Sequence, residues 1–190
     1  MRLSKINYNN RGFSLGELLI VVGIIGVLVA VAIPILNWKL ESSREAYDIY
    51  TMRQAASAAV DLYYAGITDE ASASEAGLKW WDNKNIEQDN AAGVYDLGTG
   101  TFLPIKSSDA TVSYGKGTTI DGGTKYTLGN ARGAYAAKED YTNAVVMIAI
   151  YPNATRPHVD IYWKDISTGK YVGGEKAKND PKYSIRIMLK

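Results

Sequence analysis

The stretch Gly12-F-S-L-G-E-L-L-I-V-V-G-I-I-G-V-L-V-A-V-A-I-P-I-Leu36 decides how the rest of this chain is read. From Leu18 to Leu36, nineteen successive residues carry no charge and no strongly polar side chain. As a helix rising ~1.5 Å per residue they extend roughly 28 Å, close to the thickness of a bilayer's hydrocarbon core. One carboxylate, Glu17, stands at the N-terminal edge of the run. Before it lies a short leader with Arg2, Lys5 and Arg11 and no acid among the first twelve residues. Such positive charge stays on the cytoplasmic side. Beyond the run Lys39, Glu41, Arg44 and Glu45 cancel, so the expected orientation is N-terminus in and remainder out.

Three readings of the apolar run compete. A secretory signal peptide has a basic start, an apolar middle and small residues at its end, and Ala30-Val31-Ala32 offers an A-x-A cleavage site. Cleavage there would release an exported binding protein or enzyme. A plain membrane anchor is the second reading. The third accounts for Glu17, which an ordinary signal peptide has no use for. A charge at mid-bilayer costs ~2.5–3.5 kcal/mol on insertion scales, so a carboxylate beside the run needs a reason.

From Gly12 to Pro34, with Phe13 next and Glu17 four residues further on, the chain resembles the type IV pilins and pseudopilins. The resemblance implies that a prepilin peptidase cuts between Gly12 and Phe13, ahead of the apolar helix. The new Phe13 amine is then methylated by the same class of enzyme. It implies a homo-oligomeric helical filament built by pilus assembly machinery, with the precursor held in the cell membrane. In such a filament Glu17 of one subunit pairs with the α-amino group of a neighbouring Phe13, because two charges in an apolar core are tolerated only when paired. Gly26 and Ala30 form a small-xxx-small pair that lets helices approach closely. Pro34 removes the partner of the Ala30 carbonyl and is expected to kink the helix. The chain departs from the family at Gly16, where a larger aliphatic is usual; a glycine loosens the first turn.

The organisation expected is a removed leader over 1–12, a transmembrane and assembly helix over 13–36, and its amphipathic continuation over 37–65. A variable region over 66–110 and an antiparallel sheet over 111–190 follow. Ile49, Met52, Ala56, Ala59, Val60 and Tyr63 recur at helical steps, with Lys39, Glu41, Arg44, Glu45, Asp48, Arg53 and Asp61 expected mostly off that stripe. Gly66 is the stop signal. Ala71 to Trp81 is read as a short helix, and the Asn- and Gly-rich stretch through Gly93, Gly98 and Gly100 as loop. Strands are expected at Thr111–Tyr114, Lys125–Leu128, Ala144–Tyr151, His158–Trp163 and Tyr183–Leu189. In the clearest of these, Val159, Ile161 and Trp163 alternate with Asp160, Tyr162 and Lys164, which reads as one buried and one wet face. The fold class is therefore α+β, a long helix packed on an antiparallel sheet.

Candidate chemistry is sparse, and no enzymatic activity or cofactor is expected. There is no cysteine and one histidine, His158. No catalytic triad or zinc set follows from these. Asp160 and Asp165 lack the spacing of a Ca²⁺ loop. Beyond Leu36 the 154 residues carry a net charge of about −1, so no nucleic-acid partner is expected. Trp80-Trp81 reads either as a latch onto the domain or as a platform for a sugar or another partner. Two roles stay open: the main filament subunit, or a minor pilin or pseudopilin of a secretion or DNA-uptake machine.

Overall fold

The computed structural model describes residues 12–122, 134–177 and 180–190. It divides into two units, up to Asn37 and from Trp38 onward. Helix α1, Leu15–Tyr64, contributes to both. It is fifty residues long, or about 75 Å at 1.5 Å per residue. It ends where Gly66 takes φ +103°, and the Gly66 N–H donates to the Tyr63 carbonyl. A left-handed residue of this kind closes a helix at no Cβ cost.

In the second unit an antiparallel sheet packs against the helix. Its strands are β1 (Lys79–Trp81), β2 (Asn90–Asp96), β3 (Thr101–Leu103), β4 (Ala144–Tyr151), β5 (His158–Asp165) and β8 (Ile185–Met188). The order is β1-β2-β4-β5-β8, with β3 also pairing β2. Strands β6 (Glu175–Ala177) and β7 (Asp180–Pro181) form a separate ribbon. The central pair runs in register from Ala144 opposite Asp165 to Tyr151 opposite His158. Ile49, Met52, Ala55, Ala56 and Ala59 of α1 share one core with Val146, Ile148 and Ile150 of β4 and with Val159, Ile161 and Trp163 of β5. The architecture is thus α+β, as the patterning and the resemblance imply.

Several expectations are corrected. The helix expected over Ala71–Trp81 is only α2, Glu70–Glu75, opened by Asp69, whose carboxylate accepts from the Ser72 N–H at 2.9 Å. The two tryptophans lie in β1 instead. The Gly93 region is not loop but the middle of the buried strand β2. A Cβ on Gly93 would meet the Leu103 carbonyl oxygen and the Leu78 side chain at 2.8 Å each, so glycine here serves close approach rather than a turn. The sheet therefore begins near Lys79, well before Thr111. Residues Thr111–Tyr114 form no strand. Tyr114 acts through its side chain: its hydroxyl donates to the Tyr95 carbonyl and accepts from the Val146 N–H, both at 2.8 Å. That bridges β2 and β4 one step past their last paired residues, Val94 and Met147. The strand expected at Lys125–Leu128 lies outside the described residues.

The wet face also proves partly covered. Ala92, Val94, Val145, Met147, Ala149 and Tyr162 form a second buried cluster on the side of the sheet away from the helix. Ile105, Ala110, Ile166 and Tyr171 pack over it. Asp160 is buried there too, held by Arg186 through Nε at 2.6 Å and Nη2 at 2.5 Å. This is the two-toothed geometry that makes a buried carboxylate tolerable.

Candidate functional site

The N-terminal residues explain how α1 begins. Ser14 and Glu17 cap each other. The Glu17 N–H donates to Ser14 Oγ at 3.2 Å, and the Ser14 N–H donates to Glu17 Oε2 at 2.9 Å. The Ser14 hydroxyl donates to the same Oε2, also at 2.9 Å. This reciprocal Ser-x-x-Glu arrangement satisfies donors that the first turn leaves unpaired. It starts the helix at Leu15, so Gly16 does not displace the helix start. The sequence carries this signal in the Ser14-x-x-Glu17 spacing, whereas charge pairing alone draws attention only to Glu17. Among the described residues no cation pairs with Glu17; the leader charges Arg2, Lys5 and Arg11 lie outside them.

Every large apolar side chain from Leu18 to Leu36 is exposed, the least of them 47% and the most 68%. The helix is long and apolar enough to cross a membrane, with a mean hydropathy of 3.1 in its most apolar window. Such a surface in water is strongly unfavourable, at roughly 25 cal/mol per Å² of apolar area. Glycines along it are not demanded by the chain's own packing. A Cβ at Gly16, Gly23 or Gly26 would meet nothing within 4 Å. Pro34 sits inside the helix, which is continuous through it. The candidate residues Gly12, Phe13, Glu17, Gly26 and Pro34 therefore follow one another along one segment rather than converging in a cavity. Phe13 is 87% exposed and precedes the first helical turn.

A second cluster was missed. Glu41, Glu45 and Asp48 are not on a solvated face; all three are buried. They hold a segment of loop to the helix by its backbone. Asp48 Oδ1 accepts from the Lys116 N–H at 2.8 Å, and Oδ2 from the Gly117 N–H at 2.7 Å and the Tyr135 hydroxyl at 2.9 Å. Glu41 accepts from the Thr118 N–H and from Arg44 at 3.3 Å. Glu45 accepts from the Gly122 N–H at 3.5 Å. The loop comes so close that a Cβ on Gly122 would lie 2.4 Å from the Ser42 nitrogen. Burial pushes the Asp48 carboxyl up to about 6, against the hydrogen bonds from Gly117, Lys116 and Tyr135. The spacing did contain the signal: steps of four, three and four residues lead from Glu41 through Glu45 and Asp48 to Met52, a member of the buried stripe. Charge alone suggested the opposite face.

The remaining candidates are engaged locally. Asp165 accepts from the Ser167 hydroxyl at 2.6 Å and from the N–H groups of Thr168 and Ser167, and these bonds, the hydroxyl's first, hold its carboxyl below its ordinary range against its partial burial. His158 stacks on Tyr151 with ring centres 4.6 Å apart. Among the described residues no three His, Cys, Asp or Glu side chains gather as a metal site would require. The two tryptophans divide between the readings: Trp80 packs on the helix-side core, whereas Trp81 borders a cleft on the opposite face.

The site defines a class of protein whose N-terminal apolar helix needs cover from lipid or from other chains. Residues 7–33 match the family model of the prokaryotic N-terminal methylation motif. The chain is also similar to the type IV major pilin protein PilA of Myxococcus xanthus, 31% identical over 114 residues, or 57% of this chain. It spans about half the length of that relative. No solved structure matches. The N-terminal segment thus carries the methylation motif, and the chain is similar to a type IV pilin. Both matches are to pilin-type proteins and neither is to an enzyme.

Proposed function

We propose that this chain is a structural subunit of a type IV pilus-like surface filament. It is made as a precursor held in the cell membrane with its N-terminus in. A prepilin peptidase cuts it between Gly12 and Phe13, removing 1–12, and methylates the Phe13 amine. Residues 13–36 then leave the membrane for the filament core, where copies of the same helix cover one another. The observation that carries this reading is the uncovered apolar surface from Leu18 to Leu36, with Glu17 beside it lacking a cationic partner among the described residues. The Phe13 amine of a neighbouring copy supplies that charge and fixes the axial step between subunits. Gly23 and Gly26 have open space around them, as contact with a second helix requires. Pro34 leaves the Ala30 carbonyl without its helical partner, so this is where the helix yields most easily on packing.

The test is the Glu17→Ala variant in the producing cell. It is expected to be cut and to remain in the membrane, yet to yield few or no filaments by electron microscopy. Normal filaments from this variant would refute the pairing. Deletion of the gene distinguishes roles: loss of all filaments supports the main subunit. Filaments that persist with a defect in secretion or DNA uptake support a minor pilin or pseudopilin.

A further inference from the structure

We infer that the cleft on the sheet face away from the helix binds a short acidic saccharide. The cleft measures about 560 Å³, within the ~300–1,000 Å³ of small-molecule sites. Met147 and Tyr162 of the second buried cluster line it, along with Trp81 and Tyr171. Flat rings of this kind take the apolar faces of sugar rings, while side-chain amides match sugar hydroxyls. Asn83, Gln88 and Asn90 supply those amides. The Asn83 and Asn90 nitrogens both donate to the Gln88 carbonyl, at 2.6 and 3.1 Å. Neither side-chain oxygen accepts a bond among the described residues.

The charge in the cleft is one-sided. Lys106 and Lys164 line it, and among its described lining residues there is no carboxylate. Neither ammonium is in an ion pair among the described residues. Each lies over a ring instead, Lys106 at 5.7 Å from the Trp81 centre and Lys164 at 4.6 Å from that of Tyr171. Lys164 is half-buried, and burial lowers its pKa while the charge of Glu175 opposes this. An anionic ligand group between the two would relieve that cost. An acidic peptide fits less well. The floor is the face of a sheet, and β2 is already paired on both sides, to β4 and to β1 and β3. An extended peptide lying on this face would find no free edge on β2 for its backbone groups.

The experiment titrates the full processed chain in detergent micelles with trigalacturonate, following tryptophan fluorescence. Maltotriose and a triglutamate peptide serve as the neutral and peptidic comparisons. Expected is saturable binding of trigalacturonate, about tenfold or more tighter than either comparison, and weakened about tenfold by Trp81→Ala and by Lys106→Gln. Both side chains are exposed, and unchanged circular dichroism and melting would show that the variants fold. Absent binding, equal binding of maltotriose or triglutamate, or binding indifferent to both variants would each overturn the inference. Because the reading is made on the single subunit, it stands or falls apart from filament assembly.

Discussion

The first and second parts of helix α1 obey opposite rules. From Leu18 to Leu36 the apolar residues are exposed on all sides, and the one acid nearby caps its own helix. From Ile49 to Ala59 the apolar residues form a stripe that the sheet covers, and just before it Glu41, Glu45 and Asp48 are buried against loop backbone. One stretch is complete within the chain; the other is complete only with something outside it. Hydrophobicity therefore carries different meanings in the two parts: stability of the subunit in one, and its destination in the other.

The sharpest contrast comes from paired core changes. Met52→Ala, at a fully buried site, should cost the domain about 2–5 kcal/mol by chemical unfolding in detergent. Leu28→Ala, at a 64% exposed site, should change domain stability by less than about 0.5 kcal/mol. An equal loss from both would erase the distinction drawn here. Conversely, Ile25→Asp should leave domain unfolding alone but impair membrane retention, since a carboxylate there costs about 2.5–3.5 kcal/mol on insertion. Normal membrane retention of that variant, in cell fractions, would contradict the role of the first half.

Arg186→Met should destabilise the domain by about 2 kcal/mol, because it leaves Asp160 buried with no guanidinium to satisfy it. Asp48 sharpens the comparison through pH. Its pKa is raised in the folded chain from an ordinary 3.8 to about 6, so the folded state holds its proton more tightly than the unfolded state. Its contribution is therefore full below about pH 4 and is lost as pH rises through about 6. Melting measured across pH 4–7 should show that fall in the parent relative to Asp48→Asn, where Glu41 and Glu45 remain. An identical profile in both would remove Asp48 as its source. The smallest effect is Ser14→Ala, which should speed amide exchange in the first turn of α1 through loss of a cap contributing about 1 kcal/mol.

Much of this was legible in the sequence because periodicity reports burial. The stripe from Ile49 to Ala59 and the strand Ala144–Tyr151 stand where their patterns put them. The alternation of β5 was read correctly, yet the face given to water is half covered. That cover comes from segments such as 105–114, distant in sequence and without a pattern of their own. Gly93 misled because glycine signals both turns and close approach, and only the neighbouring Leu103 backbone decides between them. Glu41, Glu45 and Asp48 misled because burial of acids depends on donors seventy residues away. For the N-terminal residues the motif around Gly12, Phe13 and Glu17 is visible in the sequence, whereas its proposed partners lie in other molecules.

The central claim is that the apolar helix is kept and then covered by its own kind. The most direct measurement is the N-terminal residue and mass of the mature chain isolated from the cell surface. The account predicts a methylated Phe13 start with Leu18–Leu36 retained; a soluble chain beginning at Ile33 would contradict it.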